Sequence, residues 1–141
     1  MKKSEQTSFV FRNFNCAQTI FSLFAPDLGL ESKAALRIAS GFGSGMNSGE
    51  TCGAVTGAYM VIGLKSGHDT SNPEDKAKSN ELILKFNNLF LEEHPSLKCK
   101  ELPGFDTTDP EQKEKAREAG VFDSNCPLYL NTAAKILEDY L

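Results

Sequence analysis

Three things are missing from this chain, and each removes a class of function. There is no run of lysine and arginine: a formal net charge of -4 and a pI near 5.2 leave little to neutralise a phosphate backbone, so nucleic acid is not an expected partner. There is no long apolar stretch, because the longest, Ala54 to Leu64, spans 11 residues, against roughly 20 needed to cross a bilayer. There is no CxxC, so a zinc ribbon or thioredoxin motif with local spacing is excluded. Met1-Lys2-Lys3 opens like a leader, but Ser4-Glu5-Gln6-Thr7 follows where an apolar segment would have to stand. The expectation is a soluble, cytoplasmic protein without a membrane span.

What is present suits one domain over residues 1–141, with 40% hydrophobic residues to build a core. Phe14, Ala17, Phe21 and Phe24, widened by Ile20 and Leu23, predict a helix over 14–25 that Pro26 closes. Ser32 to Ala39 reads as a second helix. Residues 51–65 read as a third, apolar nearly all round and therefore central, with Gly67 just past its end. Asn72-Pro73 supplies a capping side chain and the proline that fits a first helical position. The helix it opens buries Leu82, Phe86, Leu89 and Phe90 and stops at Pro95. A looser segment with Cys99 and Pro103-Gly104 precedes a charged helix from Asp109-Pro110 to Gly120. A last helix, 127–140, presents Leu130, Ala134, Leu137 and Leu141. Alternation rarely persists beyond four residues, so the expected architecture is all-α, an irregular bundle of about five or six helices.

Cys16, Cys52, Cys99 and Cys126 are far apart in the chain, yet this helix map places three of them at helix starts. Asn15, with Gln18 three residues on, caps the first helix and puts Cys16 at its first position. Thr51 or Ser48 as cap puts Cys52 in the first turn of the third. Pro127 puts Cys126 at the cap of the last. Unpaired amides and the positive end of the helix dipole favour a thiolate there, whereas Cys99 has only Lys98 and Lys100 beside it. Gly53 and Gly57 share a helix face with Met60 and Leu64. Each interior glycine costs up to ~1 kcal/mol relative to alanine, so something must approach closely: a neighbouring helix, or a group with access to Cys52. Neither GxGxxG nor GxxxxGK[ST] fits residues 40–45, which sets nucleotide binding aside. His68 and His94 read as surface residues near helix ends, His94 doubling as a reserve ligand five residues from Cys99.

The blocks Asn15-Cys16-Ala17-Gln18, Ala39-Ser40-Gly41-Phe42-Gly43, Cys52-Gly53-Ala54-Val55-Thr56-Gly57-Ala58, Cys99-Lys100-Glu101-Leu102 and Cys126-Pro127 resemble the C_GCAxxG_C_C family of small bacterial and archaeal proteins. The family label prints GCA where this chain reads Cys52-Gly53-Ala54. The resemblance runs from about residue 14 to the C-terminus, and the block 39–63 is its most specific part. It implies redox activity centred on four cysteines. Similar modules are fused to haem-bearing segments in some cytochromes, where the four thiols look like ligands of an iron–sulfur cluster.

The expected function is therefore a redox protein whose four cysteines converge at one end of the bundle, serving an unidentified redox or electron-transfer partner. Two chemistries are open. In dithiol/disulfide exchange Cys52 is the expected attacking thiolate and Cys16, Cys99 or Cys126 the resolving partner. In metal or iron–sulfur binding Cys16, Cys52, Cys99 and Cys126 are all ligands, with a slight lean to this form. The alternatives are a non-redox accessory domain pinned by a structural Zn(Cys)4 site and a plain helical partner-binding domain.

Overall fold

Capping residues and prolines set most of the helix boundaries. The computed structural model describes residues 2–102 and 108–140, which contain seven α-helices: α1 Lys3–Phe11, α2 Cys16–Phe24, α3 Ser32–Ala39, α4 Gly53–Ser66, α5 Pro73–Glu93, α6 Pro110–Glu118 and α7 Val121–Tyr140. Asn15 and Gln18 form the reciprocal capping box of α2, the Gln18 amide donating to Asn15 Oδ1 (2.8 Å) and the Asn15 amide to Gln18 Oε1 (3.0 Å). Asn72 accepts from the Glu74 amide (2.9 Å) and Asp109 from the Glu111 amide (3.0 Å), with Pro73 and Pro110 in the first turns of α5 and α6. Among the described residues there is no strand, only one isolated antiparallel bridge between Thr51 and Lys98.

The bundle is all-α as expected, but its helices number seven among the described residues rather than five or six. The addition is α1, whose buried residues are Ser4 and Thr7. It docks on α7 through polar groups: the Ser4 amide donates to Glu138 Oε1 (2.7 Å) and Asn131 Nδ2 to the Ser4 carbonyl (3.1 Å). A helix seated by hydrogen bonds leaves no apolar period to read. Phe14 is a second correction: it precedes α2 and is exposed. Leu141 and Pro103-Gly104 lie outside the described residues.

The core forms around α4, buried from Gly53 through Ala58 and again at Val61 and Ile62, and packed on α2, α5 and α7. Phe86 and Phe90 of α5 are fully buried, Phe86 meeting Tyr59 edge-on with ring centroids 6.1 Å apart. Burying two such rings supplies roughly 1.5–3 kcal/mol each. The apolar end of the bundle thus anchors α4 and leaves its N-terminus at the opposite end, beside the start of α2.

Candidate functional site

All four cysteines line one cleft of about 280 Å³, and none is in a disulfide. Cys16 is the first residue of α2. Cys52 is itself the cap of α4, one position earlier than a Thr51 cap would place it. Cys99 is brought in by the bridge: the Cys52 amide donates to the Leu97 carbonyl (2.7 Å) and the Cys99 amide to the Glu50 carbonyl (2.6 Å). Cys52 and Cys99 thus each follow a bridge residue and lie diagonally on the same face of the ladder, opposite to Thr51 and Lys98.

Cys126 departs from expectation. Helix α7 begins at Val121, directly after Gly120, and runs through Pro127, so Cys126 stands in the second turn instead of at a cap. Gly120 at φ +72° supplies the turn. Proline lacks an amide and disfavours a helix interior, which made the Pro127 position look like a start.

Glycines bring the thiols together. A Cβ on Gly53 would stand 2.8 Å from the Cys16 Cβ, and one on Gly57 would stand 2.9 Å from the Ala17 carbonyl oxygen. The bare face of α4 therefore admits α2, and that same packing sets Cys16 next to the Cys52 corner. Gly45 lies in a left-handed run with Ser44, Met46 and Asn47, at φ +61°. A Cβ there would stand 2.5 Å from the Glu50 amide nitrogen and 3.0 Å from the Cys99 Cβ. Of the glycines set aside as a phosphate cradle, Gly43 packs on Asn15, the cap before Cys16, and Gly45 on the Cys99 segment, while Gly41 meets nothing within 4 Å.

Cys16, Cys52 and Cys126 differ in charge preference. Cys52 is only 4% exposed. Burial pushes its pKa up to about 12, with the Ala54 amide pulling down and the proximity of Cys99 and Cys126 adding to the rise. The helix start favours the thiolate as expected, but loss of hydration outweighs it, so Cys52 is held as a thiol. Cys16 donates a hydrogen bond to Cys126. That bond, burial and the other three sulfurs raise the Cys16 pKa well above an ordinary thiol. The same bond lowers Cys126, against burial and the Asp123 carboxylate.

With the sulfurs the cleft is lined by Phe11, Leu102 and Phe122, and by Lys113 and Arg117 of α6. Tyr129 donates to the Leu102 carbonyl (2.8 Å), and burial followed by the nearby sulfurs Cys126, Cys52 and Cys99 pushes its pKa up to about 12.

The chain's sequence from residue 14 to 140 matches the family model described as "Putative redox-active protein (C_GCAxxG_C_C)". This chain belongs to the C_GCAxxG_C_C family. Comparison with curated proteins and with solved structures gave no match. The matched span contains all four cysteines that line the cleft.

As a metal site, the donor set is uniformly soft, which suits zinc or iron–sulfur chemistry. Its spacing does not suit a single ion: among the described residues no three Cys, His, Asp or Glu side chains stand close enough together to hold one. His94 is not a reserve ligand on this cleft. Its ring packs 4.8 Å from Phe90 and 4.9 Å from Tyr129, and its Nε2 pairs with Thr132 Oγ1 at 2.8 Å. Sequence reasoning passed over Lys113, Arg117 and Tyr129. The two cations are an i, i+4 pair on a helix read as charged and mostly exposed, and Tyr129 is three residues from Cys126 on α7, a spacing that becomes informative only once α7 is known to include both. No helix of the described residues is long and apolar enough to cross a membrane.

Proposed function

We propose that this family member is a dithiol/disulfide redox protein in which Cys126 is the attacking thiolate and Cys16 the resolving thiol. The observation that carries the reading is the pairing of the Cys16 and Cys126 side chains in the cleft that all four cysteines line, with the bond between them favouring the anion on Cys126. In an exchange with a disulfide oxidant, the Cys126 thiolate attacks one sulfur and the oxidant's S–S bond breaks. The first thiolate then leaves. Cys16 gives its proton to water and attacks the Cys126 sulfur, releasing the second thiolate. The pair loses two electrons and the oxidant gains them. Cys52 stays protonated beside the exchanging pair.

The test is to oxidise the reduced protein with a small disulfide, alkylate the remaining thiols after unfolding in urea and map the cross-link by peptide mass spectrometry. A Cys16–Cys126 link with Cys52 and Cys99 alkylated is expected; a Cys52–Cys99 link, or none, overturns the reading.

A second reading, an iron–sulfur cluster held by Cys16, Cys52, Cys99 and Cys126, is favoured by the convergence of all four on one cleft. In a cluster, cysteines bind different irons, a looser requirement than four sulfurs on one zinc. The cluster would supply one-electron chemistry, and Lys113 and Arg117 would offset its negative charge. Anaerobic purification, iron and sulfide analysis and a visible spectrum decide between the two: a brown, iron-loaded protein supports the cluster, a colourless iron-free one the dithiol.

A further inference from the structure

The cleft has a charge that the rest of the molecule does not. The chain as a whole carries -4, yet the charged side chains lining the cleft are Lys113 and Arg117, and no Asp or Glu is among its described lining residues. The two cations sit four residues apart on one face of α6. Lys113 has no carboxylate partner among the described residues. Arg117 Nη1 meets Glu114 Oε2 at 3.2 Å in an exposed pair, an interaction weak enough for an incoming anion to displace. Asp123, whose carboxylate acts on Cys126, is not among the lining residues.

The lining also holds the apolar side chains of Phe11, Leu102 and Phe122 and the four cysteines. A volume of about 280 Å³ suits a small molecule rather than a protein segment. A ligand for this surface needs an anionic head for α6, an apolar middle and a group that a thiolate attacks.

We propose that the cleft takes a small organic disulfide bearing a carboxylate, with the carboxylate on Lys113 and Arg117 and the sulfur–sulfur bond over Cys126. This rests on the dithiol reading and names its substrate class. One turnover converts the substrate to two thiolates and the protein pair to a Cys16–Cys126 disulfide, so the atoms and both electrons are accounted for by the exchange described above.

The test compares two reagents on the full-length reduced protein: dithiobis(nitrobenzoate), an aromatic disulfide with a carboxylate on each ring, and uncharged dithiodipyridine. Each rate is divided by that reagent's rate with mercaptoethanol, which removes intrinsic reactivity. Charge complementarity in a cleft raises association rates by roughly tenfold or more, so a normalised preference of about tenfold for the anionic reagent is expected at low salt. It should shrink as salt screens the cations. The double variant Lys113→Gln/Arg117→Gln, checked for helicity by circular dichroism, should lose most of that preference, its rate with the uncharged reagent moving far less. A normalised ratio near one, or a preference that survives in the double variant or at high salt, overturns the assignment. Failure of both reagents to form the Cys16–Cys126 bond overturns the dithiol reading instead, and the substrate assignment with it. Oxidation of that pair without anion preference overturns the substrate assignment alone.

Discussion

Cys52 and Cys99 are held by main-chain hydrogen bonds across the Thr51–Lys98 bridge, whereas Cys16 and Cys126 sit on separate helices and are joined side chain to side chain. The same residue type in one cleft thus has two roles available. At the ladder corner the backbone fixes the sulfurs and burial keeps Cys52 a thiol. At the helix corner the thiols partner each other, and one gains anionic character from the other's proton. Proximity to a helix N-terminus does not by itself make a reactive cysteine. Cys52 has that proximity and is the harder thiol to ionise, while Cys126 lacks it and is the easier.

The largest effect that would break this comparison is chemical. Cys126→Ser removes the proposed attacking sulfur and should slow disulfide exchange at the cleft by about two orders of magnitude or more, because a hydroxyl does not replace a thiolate. Cys52→Ala should leave exchange within about threefold, since its thiol is protonated at neutral pH. Stopped-flow rates with dithiodipyridine measure both, and equal losses in the two variants would dissolve the distinction between the corners.

Alkali sharpens the comparison next. The Cys52 pKa rises from an ordinary 9.0 to about 12 on folding, so the folded state favours the protonated thiol. Its contribution to stability is complete below pH 9, the unfolded value, and is lost as pH rises from there toward 12. A shift of this size corresponds to a few kcal/mol as an order of magnitude. Tyr129, raised from 10.0 to about 12, loses stability in the same direction. Urea unfolding at a series of pH values should show Cys52→Ala losing less stability than the parent over this window. Parallel curves would mean that Cys52 ionises as readily folded as unfolded.

Steric change at the glycines has an intermediate effect. Gly53→Val places side-chain atoms where the Cys16 Cβ and the Ala17 amide already stand, within 2.9 Å of an added Cβ. Overpacking of this kind costs about 1–3 kcal/mol. The expected result is a lower urea midpoint together with a weaker Cys16–Cys126 cross-link, as α2 is pushed off α4. Gly63→Ala on the same helix meets nothing within 4 Å and should be neutral or slightly stabilising.

Much of this was legible in the sequence because the chain marks its helices with local chemistry. Asn15/Gln18, Asn72-Pro73 and Asp109-Pro110 each combine a cap with an apolar or charged run, and α2, α5 and α6 lie close to where those pairs set them, as α3 and α4 lie close to the runs 32–39 and 51–65. Convergence of the cysteines was expected from the helix starts, although only Cys16 sits at a first helical position. Three things were not legible, each for a physical reason. Helix α1 buries serine and threonine and has no apolar stripe. The start of α7 is hidden by a proline that the helix tolerates in its second turn. The ionisation order of the thiols depends on burial and on a partner 110 positions away in the chain, which no local pattern encodes.

The smallest of these effects tests what couples the two corners. Tyr129 reaches from α7 to the Leu102 carbonyl at 2.8 Å, and Leu102 follows Cys99 on the segment that the bridge aligns, its amide bonded to the Lys98 carbonyl at 3.1 Å. Because Tyr129 and Cys126 lie three residues apart on one helix face, this hydrogen bond fixes the Cys99 segment relative to Cys126. Tyr129→Phe keeps the ring against His94 and leaves the buried carbonyl without its donor, costing about 1–3 kcal/mol. If the bond serves only stability, exchange at Cys126 should be untouched under folding conditions. If it also holds the ladder corner against the helix corner, Cys99, half-buried in the parent, should be alkylated faster in the folded variant while Cys52, locked in the α4 cap, stays protected, and differential labelling of those two thiols reads the outcome directly.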